Sequence, residues 1–266
     1  MKPLVTYFLL AYLISWIIWF PLYAPAAGIE GLPVLPFHHA IGGLGPLIAA
    51  MISTWRYEKR PGILQLFKQM RQGQVVYLLI ALLSPFLLAV IASLLNSIIN
   101  GSPVALSGLL TTGEYPAFGF AGFFLFNLVF FGFGEETGWR GFALPRLQTK
   151  FNALTASLIL TIFWALWHLP LFFYRPGFTG MDVAGIFGWV FSLLTGSILL
   201  TWFYNSSKGS ILVCAIFHAT VDIAFLADFA DKNTNNYMGM LITIWGIAII
   251  LFYKPKHLSA KEKIVR

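Results

Sequence analysis

The chain has 266 residues, 58% hydrophobic and only 10% charged, with a formal net charge of +7. A soluble domain carries about a quarter charged residues and about half apolar ones, so one water-facing core is excluded and lipid is the expected solvent. The single cysteine, Cys214, excludes an intramolecular disulfide and reads as a small packing residue in an apolar run.

Runs of about 18 or more apolar residues, long enough to cross about 30 Å of hydrocarbon, recur along the sequence. Eight spans are predicted, at residues 4–23, 36–55, 75–99, 119–140, 155–175, 183–204, 209–229 and 237–253. The fold class is therefore all-α: a polytopic membrane helical bundle forming one transmembrane domain over residues 1–266. Ala24-Pro25-Ala26 loosely resembles a signal cleavage site, but the apolar run before it is long and Lys2 is the only basic residue ahead of it, so a retained anchor is expected. His38 and His39 open the second span and read as interfacial. Between the second and third spans, Ile63, Leu66, Phe67 and Met70 recur at helical spacing beside Lys68 and Arg71, which suits a helix on the membrane surface, with a plain loop as the alternative. The tail from Lys254, including His257, is short and basic and is expected to be mobile.

With a cytoplasmic N-terminus, one face collects Lys2, Arg56, Lys59, Arg60, Lys68, Arg71, Arg140, Arg146, Lys150, Lys208, Lys254, Lys256, Lys261, Lys263 and Arg266. The opposite face keeps Arg175 and Lys232 beside Glu30, Glu114, Asp182, Asp228 and Asp231. That asymmetry follows the positive-inside rule, demands an even number of spans and puts both termini in the cytoplasm, of the plasma (inner) membrane in a prokaryote. The basic excess is topological and leaves no nucleic-acid footprint; the lipid bilayer is the partner it implies.

An ionisable group inside a span costs on the order of 2.5–3.5 kcal/mol and so faces the protein interior or a wet cavity. The residues of this kind are Glu135, Glu136 and Arg140 in the fourth span, His168 in the fifth, and His218 and Asp222 in the seventh. Glu136 and Arg140, four apart on a helix, share a face and can pair; Glu135 points about 100° away and has no evident partner. His218 and Asp222 are also four apart, with the carboxylate placed to orient the imidazole. Taken singly, each has a structural reading: an ion pair at a helix end, a core histidine bonded to a carbonyl, a packing pair. Together, one carboxylate and two histidines from three helices can meet only inside the bundle. A buried glutamate can take a proton from water and return it to a leaving amine, one imidazole can hold that water, and a second can donate to an oxyanion. The same Glu135, His168 and His218 could instead hold Zn²⁺ or another divalent metal, although the sequence lacks H-E-x-x-H. The metal-bound and metal-free glutamate routes stay equally open.

Three short patterns sharpen this reading. Glu135-Glu136-Thr137-Gly138-Trp139-Arg140 reads EExxxR, Trp164-Ala165-Leu166-Trp167-His168 is FxxxH-like, and His218-Ala219-Thr220-Val221-Asp222 reads HxxxD. In this order, on separate apolar spans, they resemble the CAAX protease and bacteriocin-processing (CPBP) family, which includes the type II CAAX prenyl endopeptidases. Two departures stand out: Trp164 replaces the pattern's phenylalanine, and Asp222 stands where members often have asparagine. Leu44-Gly45-Pro46 adds a general likeness. The resemblance implies an eight-helix intramembrane endopeptidase with its catalytic core in about residues 119–229. Glu135 would be the general base, His168 would position the water, His218 and Asp222 would form the oxyanion side, and Glu136 and Arg140 would support them. An ionised Asp222 cannot donate to an oxyanion, so it must be protonated or act through His218. The implied substrate is a peptide: a lipidated-protein C-terminus or a leader peptide, reached from the cytoplasmic side. A proton-coupled transporter and a non-catalytic immunity or binding protein of the same fold are the alternatives. One geometric condition follows. Glu135 lies about 8 Å from the cytoplasmic end of its predicted helix and His168 about 20 Å from the start of its own, so the fifth span must begin in the cytoplasm or the fourth must continue past Gly141.

Overall fold

A computed structural model describes residues 2–104, 106–113 and 118–266; Glu114, grouped above with the acidic end, lies outside the described residues. The elements are α1 (Lys2–Tyr23), α2 (His38–Gly43), α3 (Gly45–Arg71), α4 (Val75–Asn100), α5 (Phe120–Asn127), α6 (Gly134–Gly138), α7 (Leu144–Leu147), α8 (Ala153–Trp167), α9 (Val183–Ser206), α10 (Ile211–Leu226) and α11 (Lys232–His257). No strand occurs among the described residues. On α1, Tyr7, Ala11, Ser15 and Trp19 recur every fourth residue and are buried, whereas Leu9, Leu13 and Ile17 form an exposed stripe. A helix apolar on its outer face as well as its inner one is dissolved in lipid. On α4 the outer stripe is Leu79, Leu83 and Leu87, while Ala81, Ala89, Ala92 and Ser93 are buried: small residues that let helices approach closely.

Among the described residues, five segments are long and apolar enough to cross a membrane: Lys2–Ala27, Val75–Asn100, Ala153–Phe173, Val183–Ser206 and Lys232–His257. The apolar helix α10 is shorter. The other two passes are interrupted: α2 with α3, and α5 to α7, in which π-helical stretches at Leu128–Phe133 and Trp139–Ala143 flank α6. The passes alternate in direction. Thr6 on α1 bonds Tyr57 on α3 (2.9 Å), and Lys261 bonds Gln74 before α4 (3.1 Å), which brings both ends of the chain to the basic end of the bundle.

The basic segment after the second span is helical, as the periodicity predicts. It belongs to α3, which turns sharply at Lys59 (φ 57°, ψ −152°) just before Pro61, then buries Leu66 and half-buries Ile63 and Met70. Proline lacks the N–H that would continue the helix ladder, and its ring clashes with the preceding turn. The last helix bends the same way at Lys254 (φ 61°), ahead of Pro255.

Several expectations need correction. The tail is docked: Leu258 is fully buried, Gln148 Nε2 donates to Ile264 O (2.7 Å), and Arg266 pairs with Glu58 (2.5 Å). His257 takes part, its Nδ1 accepting from Lys263 N (3.2 Å) and its carbonyl from Asn205 Nδ2 (2.9 Å). The extended tail has backbone groups that two buried amides can bind, and this overrides its polar composition. His38 and His39 are turned into the protein. His38 Nε2 meets Ile18 O (2.6 Å), and His39 Nδ1 meets the Tyr174 hydroxyl (2.7 Å) with its ring stacked on Trp19. Arg140 belongs to the interior and leaves the group of cytoplasmic charges. Cys214 is buried with its sulfur against Leu200 O, a packing residue as expected.

Candidate active site

The geometric condition on the fourth span is met by its extra length. Helical backbone continues through Trp139–Ala143 and α7 to Leu147, so Glu135 lies twelve residues, about 18 Å, from that end and can face His168 at the far end of α8. Glycines set the close approaches. A Cβ on Gly138 would fall 2.3 Å from the Tyr7 hydroxyl and 2.7 Å from Pro46, and one on Gly132 would fall 2.5 Å from Ala215 O on α10. Without these side chains the interrupted helix lies directly against α3 and α10. Local π-helical geometry of this kind recurs at functional sites, because it re-aims side chains within a single turn.

Glu135 and Glu136 are both buried and are held differently. Glu136 Oε1 accepts from Arg140 Nη1 (2.9 Å) and meets His218 Nδ1 (2.7 Å). Arg140 also donates to Ser197 Oγ (3.2 Å) and lies over the Trp164 ring, 4.5 Å from its centroid. The Glu136–Arg140 pair is therefore as the spacing predicts, but the carboxylate that orients His218 comes from α6 and not chiefly from Asp222. Asp222 Oδ2 stands 3.5 Å from the other ring nitrogen, Nε2.

Glu135 has partners that the sequence reading did not find. Its Oε2 accepts from Trp164 Nε1 (2.7 Å) and from Trp139 Nε1 (3.3 Å). Its Oε1 faces His218 Nε2 across 4.0 Å, a gap that a water with two hydrogen bonds can bridge. Trp164 joins the whole cluster. Its N–H fixes Glu135, its ring lies under Arg140 and edge-on to His218 (5.7 Å), and its carbonyl meets His168 Nδ1 (2.7 Å). A carbonyl only accepts, so Nδ1 of His168 carries the proton, and in the neutral ring Nε2 is left as an acceptor. The signal was in the pattern: Trp164 stands four residues before His168, the spacing that lets a side chain reach the preceding turn's carbonyl. Where the family pattern has phenylalanine, Trp164 adds a donor.

His168, His218, Asp222 and Trp164 line one cavity of about 1110 Å³, together with Phe178, Trp189, Phe191 and Phe225 and the polar Asn235 and Lys232. Toward the end of the bundle opposite the basic one, its lining includes Gly177, Gly180, Asp182 and the exposed Lys232. Among the described residues no three His, Cys, Asp or Glu side chains group closely enough to hold a metal ion. The Trp164 ring packs against both imidazoles, and Glu135 Oε2 is already occupied by two indole N–H groups. The set Glu135, His168 and His218 does not fit a zinc site here, and no step below is routed through a metal.

Comparison with known proteins agrees with the motifs. Residues 117–224 match the family model described as type II CAAX prenyl endopeptidase Rce1-like. A protein of Methanococcus maripaludis named CAAX prenyl protease 2 is 28% identical over 270 residues, an alignment that covers 93% of each chain. Both findings bear out the resemblance to the type II CAAX prenyl endopeptidases.

Proposed function

We propose that the chain is an intramembrane endopeptidase that hydrolyses a peptide bond with water activated by Glu135. One observation carries this reading: Glu135 is pinned through one oxygen by two indoles, so its other oxygen faces the His218 Nε2 atom beside the cavity that also receives His168. Glu135 Oε1 takes a proton from the water as the water oxygen attacks the peptide carbonyl. His168 Nε2 accepts the water's second hydrogen and fixes its direction. The oxyanion that forms accepts from His218 Nε2–H, which requires the imidazolium form, with Glu136 accepting from Nδ1. Asp222, close to the same nitrogen, acts through His218. Arg140 balances Glu136 so that the site does not gather unpaired negative charge. Collapse of the tetrahedral intermediate breaks the C–N bond, and Glu135 returns its proton to the departing amine.

The apolar cavity suits a peptide near a lipidated C-terminus, the substrate class in the relative's name, or the apolar stretch of a leader peptide. The direct test incubates protein reconstituted in vesicles with a peptide mixture and reads products by mass spectrometry. New complementary fragments are expected; an unchanged mixture, with proton uptake into the vesicles instead, would point to a transporter.

For orientation we propose that the basic end is cytoplasmic, on the strength of the charge asymmetry. The cavity lining at Gly180 and Lys232 then lies toward the other side of the membrane. The buried Cys214 is the sole cysteine, which makes labelling clean. In a Cys214→Ser background, a Gly180→Cys variant is expected to react with a membrane-impermeant maleimide from outside intact cells. Labelling only after lysis would reverse the orientation.

A further inference from the structure

The catalytic cluster lies deep in the cavity, yet the wall above it changes character in a way the hydrolytic chemistry does not use. One face of α11, at helical spacing, supplies Lys232, Asn235, Asn236, Gly239, Met240 and Thr243 to that wall. The face is polar at the rim and mainly apolar below. The other charged lining residues are engaged: Asp182 accepts from Gly185 N (2.7 Å) as the cap of α9, and Asp222 faces His218. Asp231, next to Lys232, accepts from Thr234 N (2.7 Å) and Asn96 Nδ2 (3.1 Å). Lys232 has no ion-pair partner among the described residues, and it is the only lysine or arginine on the cavity wall. An ammonium beside an amide, at the edge of a low-dielectric cavity, favours an anion there.

We propose that Lys232, with Asn236 beside it, is a specificity-determining residue that binds a carboxylate of the peptide substrate at the cavity rim. The inference rests on the endopeptidase reading and deepens it. Seven residues of α10 separate His218 from Phe225 near the rim, a rise of about 10 Å. An extended peptide advances about 3.3 Å per residue, so the carboxylate lies within a few residues of the scissile bond. A terminal carboxylate meets that condition in every substrate cut near its C-terminus; an Asp or Glu side chain meets it only in some sequences.

The test uses one peptide in three forms: free acid, C-terminal amide, and the amide with an aspartate at its last position. Each is assayed with the full-length wild type, Lys232→Gln and Lys232→Arg, in neutral phosphatidylcholine vesicles. The wild type is expected to favour the free acid over the amide by about tenfold in kcat/KM, mostly through KM, as a charge-assisted hydrogen bond gives. Lys232→Gln is expected to bring that ratio to about one and Lys232→Arg to preserve it. If the aspartyl amide recovers the advantage, any carboxylate at the rim suffices; if it does not, the terminal one is required. Equal use of acid and amide by the wild type, or a preference that survives Lys232→Gln, would overturn the proposal. Binding of the fluorescent peptides is measured in parallel by anisotropy. Acid-selective binding that is lost in Lys232→Gln without any cleavage would reject the endopeptidase reading and keep the anion site. Cleavage without acid selectivity would do the reverse.

Discussion

Two buried polar networks lie in this bundle, and they are completed differently. At the basic end, Gln148 and Asn205 exchange amide hydrogen bonds (3.1 and 2.9 Å) and spend their remaining capacity on the backbone of Ile264 and His257. Beside them, Glu58 binds both Arg146 and Arg266. The amide groups of both side chains donate fully, and neither residue lines the cavity beside His218. Around α6 the network is incomplete. Glu136 Oε2, Thr137 Oγ1 and Arg140 Nε are buried without a partner, and Glu135 keeps one oxygen turned toward His218. A buried polar group is expensive unless it is hydrogen-bonded, so burial alone does not separate structure from chemistry. What separates them is unspent hydrogen-bonding capacity next to a space that a substrate can enter.

Substitutions in the two networks should therefore have opposite signatures. His218→Ala removes the proposed oxyanion donor and is expected to lower kcat by about 10²–10³; a loss under threefold would take His218 out of the chemistry. Trp164→Phe keeps the ring under Arg140 but deletes the N–H to Glu135. It is expected to cost about tenfold in kcat with little change in KM, since a charge-assisted hydrogen bond of about 1.5–3 kcal/mol is lost at the base. An unchanged rate would make Trp164 a packing residue only. Asn205→Ala leaves Gln148 Oε1 and the backbone groups of His257 O and Ile264 N without these partners. Thermal unfolding in detergent is expected to show destabilisation of about 1–3 kcal/mol, while the folded fraction cleaves within about twofold of wild type. A large activity loss without destabilisation would erase the distinction between the networks.

Much of this is legible in the sequence. Apolar periodicity is decisive when lipid is the solvent, and the i,i+4 spacing of Glu136 with Arg140 is a local constraint that survives in the fold. Three features were not legible, for separate reasons. The partners of Glu135 include Trp164, which lies 29 residues away and is apolar in most of its surface, so a search for ionisable groups passes over it. His218 bonds Glu136 across two helices, and nothing in its own helix discloses that. The tail was misread because composition reports solvent preference, whereas docking depends on amides at 148 and 205 that are far from it in sequence. The sharp bend of α3 at Lys59 was likewise hidden, although Pro61 marked the place where a helix could not run straight.

The account depends most on the carboxylate at position 135 acting on water. Glu135→Gln keeps the size of the side chain and an oxygen for the indole N–H groups, but removes the base. Single-turnover cleavage by purified, folded protein should fall by about 10²–10⁴ with peptide affinity preserved. A variant that folds, binds and still cuts within a few-fold of the wild-type rate would contradict the mechanism.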